Sequence, residues 1–311
     1  MSNFENLAGG CILRSEKNPN IWKYSAVCRA NADKYIPATF RLWDSPVKNQ
    51  LTKSTCTAHA LASAMEILDH YDTLSTKEYS TSWFYGYRQP TDYQGDGMYI
   101  IQAIENARKI GGVYKSLMPD NLSFKEGKAM IEDMKDECLK EAAHHRIKNY
   151  AEIDRTTQIP EAIWTNKSPV IMGINVYDSF INVGGDGIVP SPKPYQESNH
   201  GGHAILCIGA TTINNESYLV IKNSWGTGWG DNGYGYMKIN SFIPVEEMYV
   251  LFDEQDYPLQ LSDIAGRWSE PYIKQAIQCG IIKGYEDGTF KPEKPITREE
   301  VAVIIANLLN K

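Results

Sequence analysis

The sequence has no long apolar run, no paired cysteine motif and no excess of basic residues, and each absence excludes a class of protein. No run approaches the roughly 18 apolar residues that span a bilayer, so no membrane span is predicted. The formal net charge of −7 has the wrong sign for a protein that binds a nucleic-acid backbone. The six cysteines include no CxxC pair, so their spacing predicts no zinc knuckle, and no cofactor is expected.

The N-terminus also lacks the basic region and apolar region of a secretory signal peptide, so none is predicted in this chain. With 311 residues and 42% hydrophobic residues, the chain is long enough for one large domain and a small one. A dense disulfide framework is not expected at this size. Cys11 and Cys28 could pair in an oxidising compartment, and the sequence leaves that pairing open.

Apolar periodicity changes along the chain from helical to extended. Helices are predicted over 57–71, 99–109 and 125–146, where apolar residues recur at steps of three and four. After about residue 168, short apolar runs alternate with Gly, Asn and Asp, which is typical of strands and turns. A helical first part followed by a strand-rich second part predicts an α+β fold with a cleft between the two.

Cys56 stands at the head of the first predicted helix, where two interpretations compete. Free cysteine is among the most buried residue types, so a packing role is the simpler interpretation. A helix N-terminus, however, favours the negative charge of a thiolate, and a neighbouring imidazole would lower the thiol pKa further. The rest of the chain must supply that imidazole.

His203 is the strongest candidate for the imidazole. It directly precedes the apolar run "AILCIG", so the start of a strand would hold it at the edge of the cleft, whereas His200 lies in the glycine-rich turn before it. A third group must orient the ring, and Asn223 at a strand end can do so. Trp225 could then cover the Asn–His hydrogen bond and exclude water. By itself, the Asn223 stretch could equally be a glycine-rich hairpin with packing tryptophans.

Three stretches together resemble the papain-like cysteine peptidases. They are "PVKNQ" at 46–50 with Cys56 six residues after its glutamine, "HAILCIG" at 203–209, and "IKNSWGTGWGDNGYGYMKI" at 221–239. The resemblance covers roughly residues 36 to 253 and implies a two-lobed fold, with a helical lobe and a β-rich lobe around the cleft. Asn223 follows Cys56 by 167 residues, more than the roughly 130–150 usual in the family. A hairpin insertion around 211–217 would account for the difference.

The resemblance implies a role for each residue of the site. Cys56 would attack the peptide carbonyl, His203 would be its ion-pair partner and later protonate the leaving amine, and Asn223 would orient His203. The Gln50 side chain and the Cys56 backbone N–H would form the oxyanion hole. Four further residues are predicted to contact substrate: Gly97, Met98, Gly202 and Trp225.

Two departures from the family lie on the N-terminal side of Cys56. The usual Gly-rich, Cys-containing stretch is replaced by residues 51–55, so its disulfide is absent, as is common among bacterial members. The usual long helical propeptide is absent as well, since only about 35 residues precede Ile36. We predict that residues 1–35 are a short substitute that packs on or near the active-site groove. An arm packed on the back of the domain is the alternative.

Residues 256–311 read as helix, turn and helix, and resemble a surface-layer homology motif. The resemblance rests on "GYEDGTF" at 284–290 and on "TREE" at 297–300, where Thr297 and Glu300 also predict a capping box. Such motifs usually come in threes and bind anionic cell-wall polymers of bacteria, and Arg298 is the residue best suited to such a polymer. Only one copy is present, so a homotrimer that rebuilds the three-copy unit is a further prediction. Docking on the peptidase domain or partial disorder are the alternatives.

The chain is therefore predicted to be a cysteine endopeptidase with three parts: residues 1–35, a peptidase domain at 36–255 and the surface-layer motif at 256–311. A secreted or cell-surface location is expected from that motif, with a cytoplasmic one left open. Two alternatives remain, a non-catalytic cell-wall-binding scaffold on a peptidase fold and a thiol acyltransferase or transpeptidase. Both hydrolysis and transfer pass through one acyl-enzyme, so the sequence does not separate them.

Overall fold

The computed structural model describes residues 10–14, 21, 23–27, 35–93, 95–252, 263–270, 272–273, 276, 281–282, 284–285 and 289–309. The chain forms two compact units, Met1–Asp253 and Glu254–Lys311. In the described part of the first unit, the helices are α1 (Tyr24–Val27), α2 (Cys56–Thr73), α3 (Thr81–Gly86), α4 (Ile100–Lys109), α5 (Phe124–Asp133), α6 (Lys135–Ala142), α7 (Ile159–Asn166) and α8 (Asp178–Ile181). The strands are β1 (Phe40–Arg41), β2 (Asn149–Glu152), β3 (Val170–Tyr177), β4 (Ile188–Val189), β5 (Asn199–Ile213), β6 (Glu216–Lys222), β7 (Tyr234–Lys238) and β8 (Val245–Phe252).

The predicted α+β arrangement is confirmed, and α2 is its central helix. Every residue from Cys56 to Leu68 is buried, because α2 packs against β5 on one side and against α3 and α4 on others. The wide apolar surface of this segment requires such burial on most sides. The helix ends at Leu74, whose left-handed backbone (φ 60°) lets its N–H donate to the His70 carbonyl at 2.8 Å.

The prediction of one helix over 125–146 is wrong, since two helices occupy that stretch. Met134, between α5 and α6, has non-helical angles (φ −112°, ψ 25°). The bend brings the end of α6 against Gly111, where a Cβ would lie 1.8 Å from the Ala142 carbonyl oxygen. Gly111 also has a φ of +103°, so this close approach requires glycine.

One sheet joins the described strands in the order β2-β8-β3-β5-β6-β7-β4, with β1 paired to β5. Gly173 on β3 lies opposite Ala204 on β5 and opposite Glu247 on β8. This register places Glu247 level with Ala204, the neighbour of His203, with β3 between the two strands. The hairpin expected around 211–217 is present, since β5 and β6 are joined by a two-residue turn with positive φ at both Asn214 and Asn215.

The second unit has a small core of its own. Ile264 and Ile273 are buried in it, and Ile282 and Phe290 pack against them. Its long helix is α9 (Arg298–Leu309). The predicted capping box is confirmed, because the Thr297 N–H donates to Glu300 Oε2 at 2.7 Å and the Glu300 N–H donates to Thr297 Oγ1 at 3.1 Å.

The outer surface of α9 keeps apolar side chains in contact with solvent. Val303 is 59% exposed and Ile305 is 50% exposed. The sequence also predicts that five apolar residues of this unit need a packing partner: Ile273, Ile277, Ile304, Ile305 and Leu308. The Ile277 and Leu308 side chains lie outside the described residues, and Ile273 is 8% exposed and packed in the core of the unit.

Candidate active site

Cys56 is the first residue of α2, and its thiol is free and fully buried. Burial raises the thiol pKa to about 11, while hydrogen bonds from the Ala204 backbone, from Thr57 and from its own backbone N–H oppose that rise. These donors place the sulfur between the start of α2 and the strand residue that follows His203. The thiol is therefore neutral at neutral pH in this state.

His203 lies on β5, and its imidazole is also fully buried. Its Nε2 lies 2.8 Å from Asn223 Oδ1, which also accepts the Ser224 N–H at 2.8 Å. Because that oxygen accepts from the Ser224 backbone, Nε2 is the donor and carries the proton. Nδ1 is then the unprotonated nitrogen, and it has no hydrogen-bond partner within the part of the chain that is described. Burial lowers the pKa of His203 to about 4.

Aromatic rings cover the His203–Asn223 pair. The Trp225 ring lies 4.8 Å from the His203 ring, tilted by 33°, and is 2% exposed. Phe180 packs edge-on to Trp225 at 5.4 Å, and Trp229, whose Nε1 donates to the Phe180 carbonyl at 2.9 Å, closes the cluster. Water is thus kept away from a hydrogen bond that orients the imidazole.

Gln50 is held in the loop that leads to Cys56. Its backbone N–H donates to the Ser224 carbonyl at 2.8 Å, and its Oε1 accepts from the Ser224 hydroxyl at 2.7 Å. Its Nε2 donates to the Lys53 carbonyl at 2.9 Å, and the side chain is fully buried. Ser224 follows Asn223 directly, so one short stretch of chain fixes both Gln50 and the residue that orients His203.

A segment from near the N-terminus, residues 10–14, lies along three of the four predicted substrate-contact positions, Gly97, Met98 and Gly202. Met98 donates its N–H to the Gly10 carbonyl at 3.0 Å and accepts from the Ile12 N–H at 3.1 Å. The Cys11 N–H donates to the Gly202 carbonyl at 3.3 Å. A Cβ at Gly202 would lie 2.2 Å from the Cys11 carbonyl oxygen, and one at Gly97 would lie 2.7 Å from Ile12 Cγ1. The glycines therefore let residues 10–12 lie flat between the two walls.

Buried charges hold the same segment at its C-terminal side. Arg14 forms ion pairs with Glu247 at 3.2 Å and with Glu152 at 3.7 Å. The side chain of Arg14 is 14% exposed, and those of the two glutamates are 1% and 4% exposed. Lys23 adds an ion pair to Glu152 at 2.7 Å, and Tyr249 donates to Glu247 at 2.9 Å. Burial raises the pKa of Glu247, and Tyr249 and Arg14 oppose that rise.

These anchors were not found by reasoning from the sequence. Glu247 is a carboxylate within a strand pattern, which is a signal for a buried partner of opposite charge. Its partner Arg14 is 233 residues away along the chain, so no spacing rule could connect the two.

Two other predicted residues lie elsewhere. His200 turns away from the site, and its Nε2 lies 2.8 Å from Asp178 Oδ1, which lowers the pKa of that carboxyl. Arg298 is the first residue of α9 in the second unit and is exposed. Among the described residues, no His, Cys, Asp and Glu side chains are grouped in a way that could hold a metal ion, and no helix there is long and apolar enough to cross a membrane.

Comparison with solved structures gives the same fold. Xylellain, a cysteine protease from Xylella fastidiosa, matches 80% of this chain and 97% of its own, with a TM-score of 0.66 and 23% identity. A procathepsin L 3 of the Tenebrio molitor larval midgut matches 80% of this chain and 77% of its own, with a TM-score of 0.59 and 16% identity. At these identities the likeness concerns the fold alone.

Curated relatives match over shorter stretches. Peptidase 1 of Dermatophagoides pteronyssinus is 35% identical over 107 residues, which are 33% of this chain and 32% of the relative. A cellulosome-anchoring protein of Acetivibrio thermocellus is 41% identical over 56 residues, 18% of this chain and 12% of the relative. The chain thus spans about a third or less of the length of these relatives.

Family profiles cover most of the chain. The S-layer homology domain matches residues 260–302, and the papain family cysteine protease matches residues 42–251, well over half of the chain. Together with the buried Cys56, His203 and Asn223 and the shared fold, this match shows that the chain belongs to the papain family of cysteine proteases.

Proposed function

We propose that this protein is an endopeptidase that cleaves peptide bonds with Cys56 as nucleophile, His203 as base and acid, and Asn223 as the positioning residue. The observation that carries the proposal is the Nε2–H to Asn223 hydrogen bond at 2.8 Å. It leaves Nδ1 of His203 unprotonated and available. His203 directly precedes Ala204, whose backbone hydrogen-bonds to the Cys56 sulfur. A base that is oriented by a third group and adjacent to a nucleophile is the arrangement that covalent catalysis requires.

The reaction follows from these positions. His203 Nδ1 takes the proton of the Cys56 thiol, and the thiolate attacks the substrate carbonyl. The negative charge on the carbonyl oxygen is stabilised by the Cys56 backbone N–H and by Gln50 Nε2, and such a donor typically contributes about 3 kcal/mol. The imidazolium then protonates the leaving amine, and a water molecule activated by His203 hydrolyses the thioester.

The buried state of the site is a resting state in this proposal. With a thiol pKa of about 11 and an imidazole pKa of about 4, both groups are neutral at pH 7. Burial is the largest cause of both shifts, and residues 10–12 cover the groove. Hydration of the groove after this segment leaves would favour the thiolate–imidazolium pair.

Activity on a fluorogenic peptide library, with and without a thiol-directed epoxide, tests the proposal. Cys56→Ala should abolish hydrolysis, since it removes the nucleophile and little volume. His203→Ala should lower kcat by several orders of magnitude, while His200→Ala, which alters a side chain paired with Asp178, is the matched control and should have a mild effect. If His200→Ala is the crippling change, the assignment of the base is wrong. Amide formation with an added amine nucleophile instead of hydrolysis would favour the acyl-transfer alternative.

We further propose that the second unit associates the protein with an anionic polymer of a bacterial cell surface. The match to the S-layer homology domain and the similarity to part of a cellulosome-anchoring protein support this. Arg298 suits the role because it is exposed, and a guanidinium pairs with carboxylate or phosphate through two hydrogen bonds. Retention of the full-length chain on isolated cell walls should fall in Arg298→Ala but not in Lys115→Ala, a surface charge of the first unit.

A further inference from the structure

Two thiols from distant parts of the chain meet at the start of α2. Cys56 is fully buried and Cys11 is 4% exposed, and both are free. Thr57, the second residue of α2, lowers the pKa of both thiols. Negative charge on Cys56 also raises the pKa of Cys11. The proposed mechanism uses Cys56 alone, so Cys11 has no role in it.

The backbone of Cys11 is fixed on several sides by residues that surround Cys56. It pairs in parallel with Met98, whose carbonyl also accepts from Thr57 Oγ1 at 3.3 Å. Its N–H binds Gly202, next to His203. The preceding Gly10 lies so close to Ser54 that a Cβ there would be 2.7 Å from the Ser54 carbonyl carbon. Cys11 is therefore held at the nucleophile by its main chain, independently of its own side chain.

We propose that Cys11 and Cys56 form a reversible disulfide, which locks residues 10–14 in the groove and masks the nucleophile. The consequence for catalysis rests on the proposed function, whereas formation of the bond does not. A disulfide needs Cα atoms roughly 4.4–6.8 Å apart. The main-chain contacts of Cys11 with Gly202, next to His203, and with Met98, which binds Thr57, keep it beside the nucleophile.

The chemistry is exchange with a small disulfide such as oxidised glutathione. The Cys56 thiolate attacks one sulfur, which forms a mixed disulfide and releases one glutathione thiolate that takes up a proton. The Cys11 thiolate then attacks the Cys56 sulfur of the mixed disulfide, which forms the Cys11–Cys56 bond and releases the second glutathione. Two protein thiols are oxidised, one glutathione disulfide is reduced to two thiols, and a thiol reductant reverses both steps.

Burial of the thiols makes the bond conditional on groove opening. Burial raises the pKa of both thiols, so few thiolates are present while the segment is in place. Oxidation would therefore proceed from a transiently opened groove, and closure would bring Cys11 back to the mixed disulfide. Because the second step is intramolecular, it is favoured over attack by a second glutathione.

The test uses the full chain, incubated with oxidised glutathione or with dithiothreitol, alkylated in acid and digested with trypsin without reduction. Cleavage after Arg14, Lys53 and Lys77 would leave the disulfide joining peptide 1–14 to peptide 54–77. We expect this linked peptide after oxidation and its loss after reduction. Labelling of Cys56 by a thiol-directed epoxide should be almost completely lost in the oxidised sample and regained with dithiothreitol.

Two variants control the test. Cys11→Ser should give no linked peptide, and Cys56 should instead carry glutathione. Cys138→Ser, which removes another buried free thiol, should give the linked peptide in the wild-type yield. Thermal unfolding of each reduced variant checks that it is folded.

Two outcomes would overturn the inference. One is a wild-type peptide that pairs Cys11 with Cys28, and the other is glutathione on Cys56 while Cys11 remains alkylated. If the linked peptide forms on oxidation but the reduced protein cleaves no substrate, the bond is supported and the proposed function is rejected, so the two failures are distinguishable.

Discussion

Arg14 is predicted to control how often the groove opens. Its ion pairs with Glu247 and Glu152 are nearly dry, since the side chains of the three residues are 14%, 1% and 4% exposed. Truncating one member of such a pair typically costs about 2–5 kcal/mol. In Arg14→Gln, a cost near 3 kcal/mol would raise the open fraction about 100-fold. The substitution destabilises the closed state and not the open one, because the glutamates are hydrated when the segment leaves.

The second-order rate of Cys56 labelling by a peptidyl epoxide measures the open fraction, because the reagent needs the groove. Arg14→Gln should label about 100-fold faster than wild type, up to the limit set by a version that starts at Asn31. The labelling rate of Arg14→Lys should lie between those of wild type and Arg14→Gln, since an ammonium keeps the charge without the bidentate geometry of a guanidinium. Arg108→Gln, which breaks a partly exposed ion pair with Glu105 away from residues 10–14, should label at the wild-type rate. Equal rates for wild type and the Asn31 version would refute the idea that residues 1–30 block the site.

Three further predictions concern pH and assembly. Alkylation of Cys56 by iodoacetamide in the full-length chain should keep rising from pH 7 to 10, because its thiol pKa is raised to about 11; a plateau near pH 7 would contradict a closed resting state. The pKa of His203 is lowered to about 4, and imidazole in an unfolded chain titrates near 6.5. The neutral ring therefore contributes stability above pH 6.5 that is lost as pH falls towards 4, and unfolding of His203→Ala should depend less on pH in that window. Light scattering of the full-length chain and of a version ending at Asp256 should show a trimer only in the former if the exposed Val303 and Ile305 mediate self-association; monomers in both at high micromolar concentration would exclude it.

Reasoning from the sequence reached the parts of the site that lie in short, distinctive stretches. Cys56 begins α2 and Asn223 directly follows β6, as the sequence indicated, whereas β5 begins at Asn199, so His203 lies inside that strand and not at its start. The structure brings His203 and Asn223 into one hydrogen bond. Trp225 lies against the imidazole as that interpretation expected. Their roles in the reaction remain predictions until the variants are assayed.

What the sequence could not provide depends on contacts between distant segments. The break at Met134 interrupts a pattern that is helical on both sides, and packing of α6 on Gly111 accompanies it. The position of residues 10–14 depends on backbone hydrogen bonds to Met98 and Gly202, which any sequence can make and which therefore leave no signal. The ion pair of Arg14 with Glu247 adds a pairing that local periodicity does not encode.

The parallel pairing of residues 10–12 with Met98 has a consequence for how this protein would be switched on. If residues 10–12 block the groove as predicted, they do so at a fixed effective concentration, because they belong to the same chain, and dilution of the protein does not release them. Removal of the segment by another copy, in contrast, is bimolecular and accelerates as copies accumulate. Such a protein would be inactive at low concentration and would activate once its copies lie close together. The local density on a surface, rather than the total amount, would then set the concentration at which activation begins.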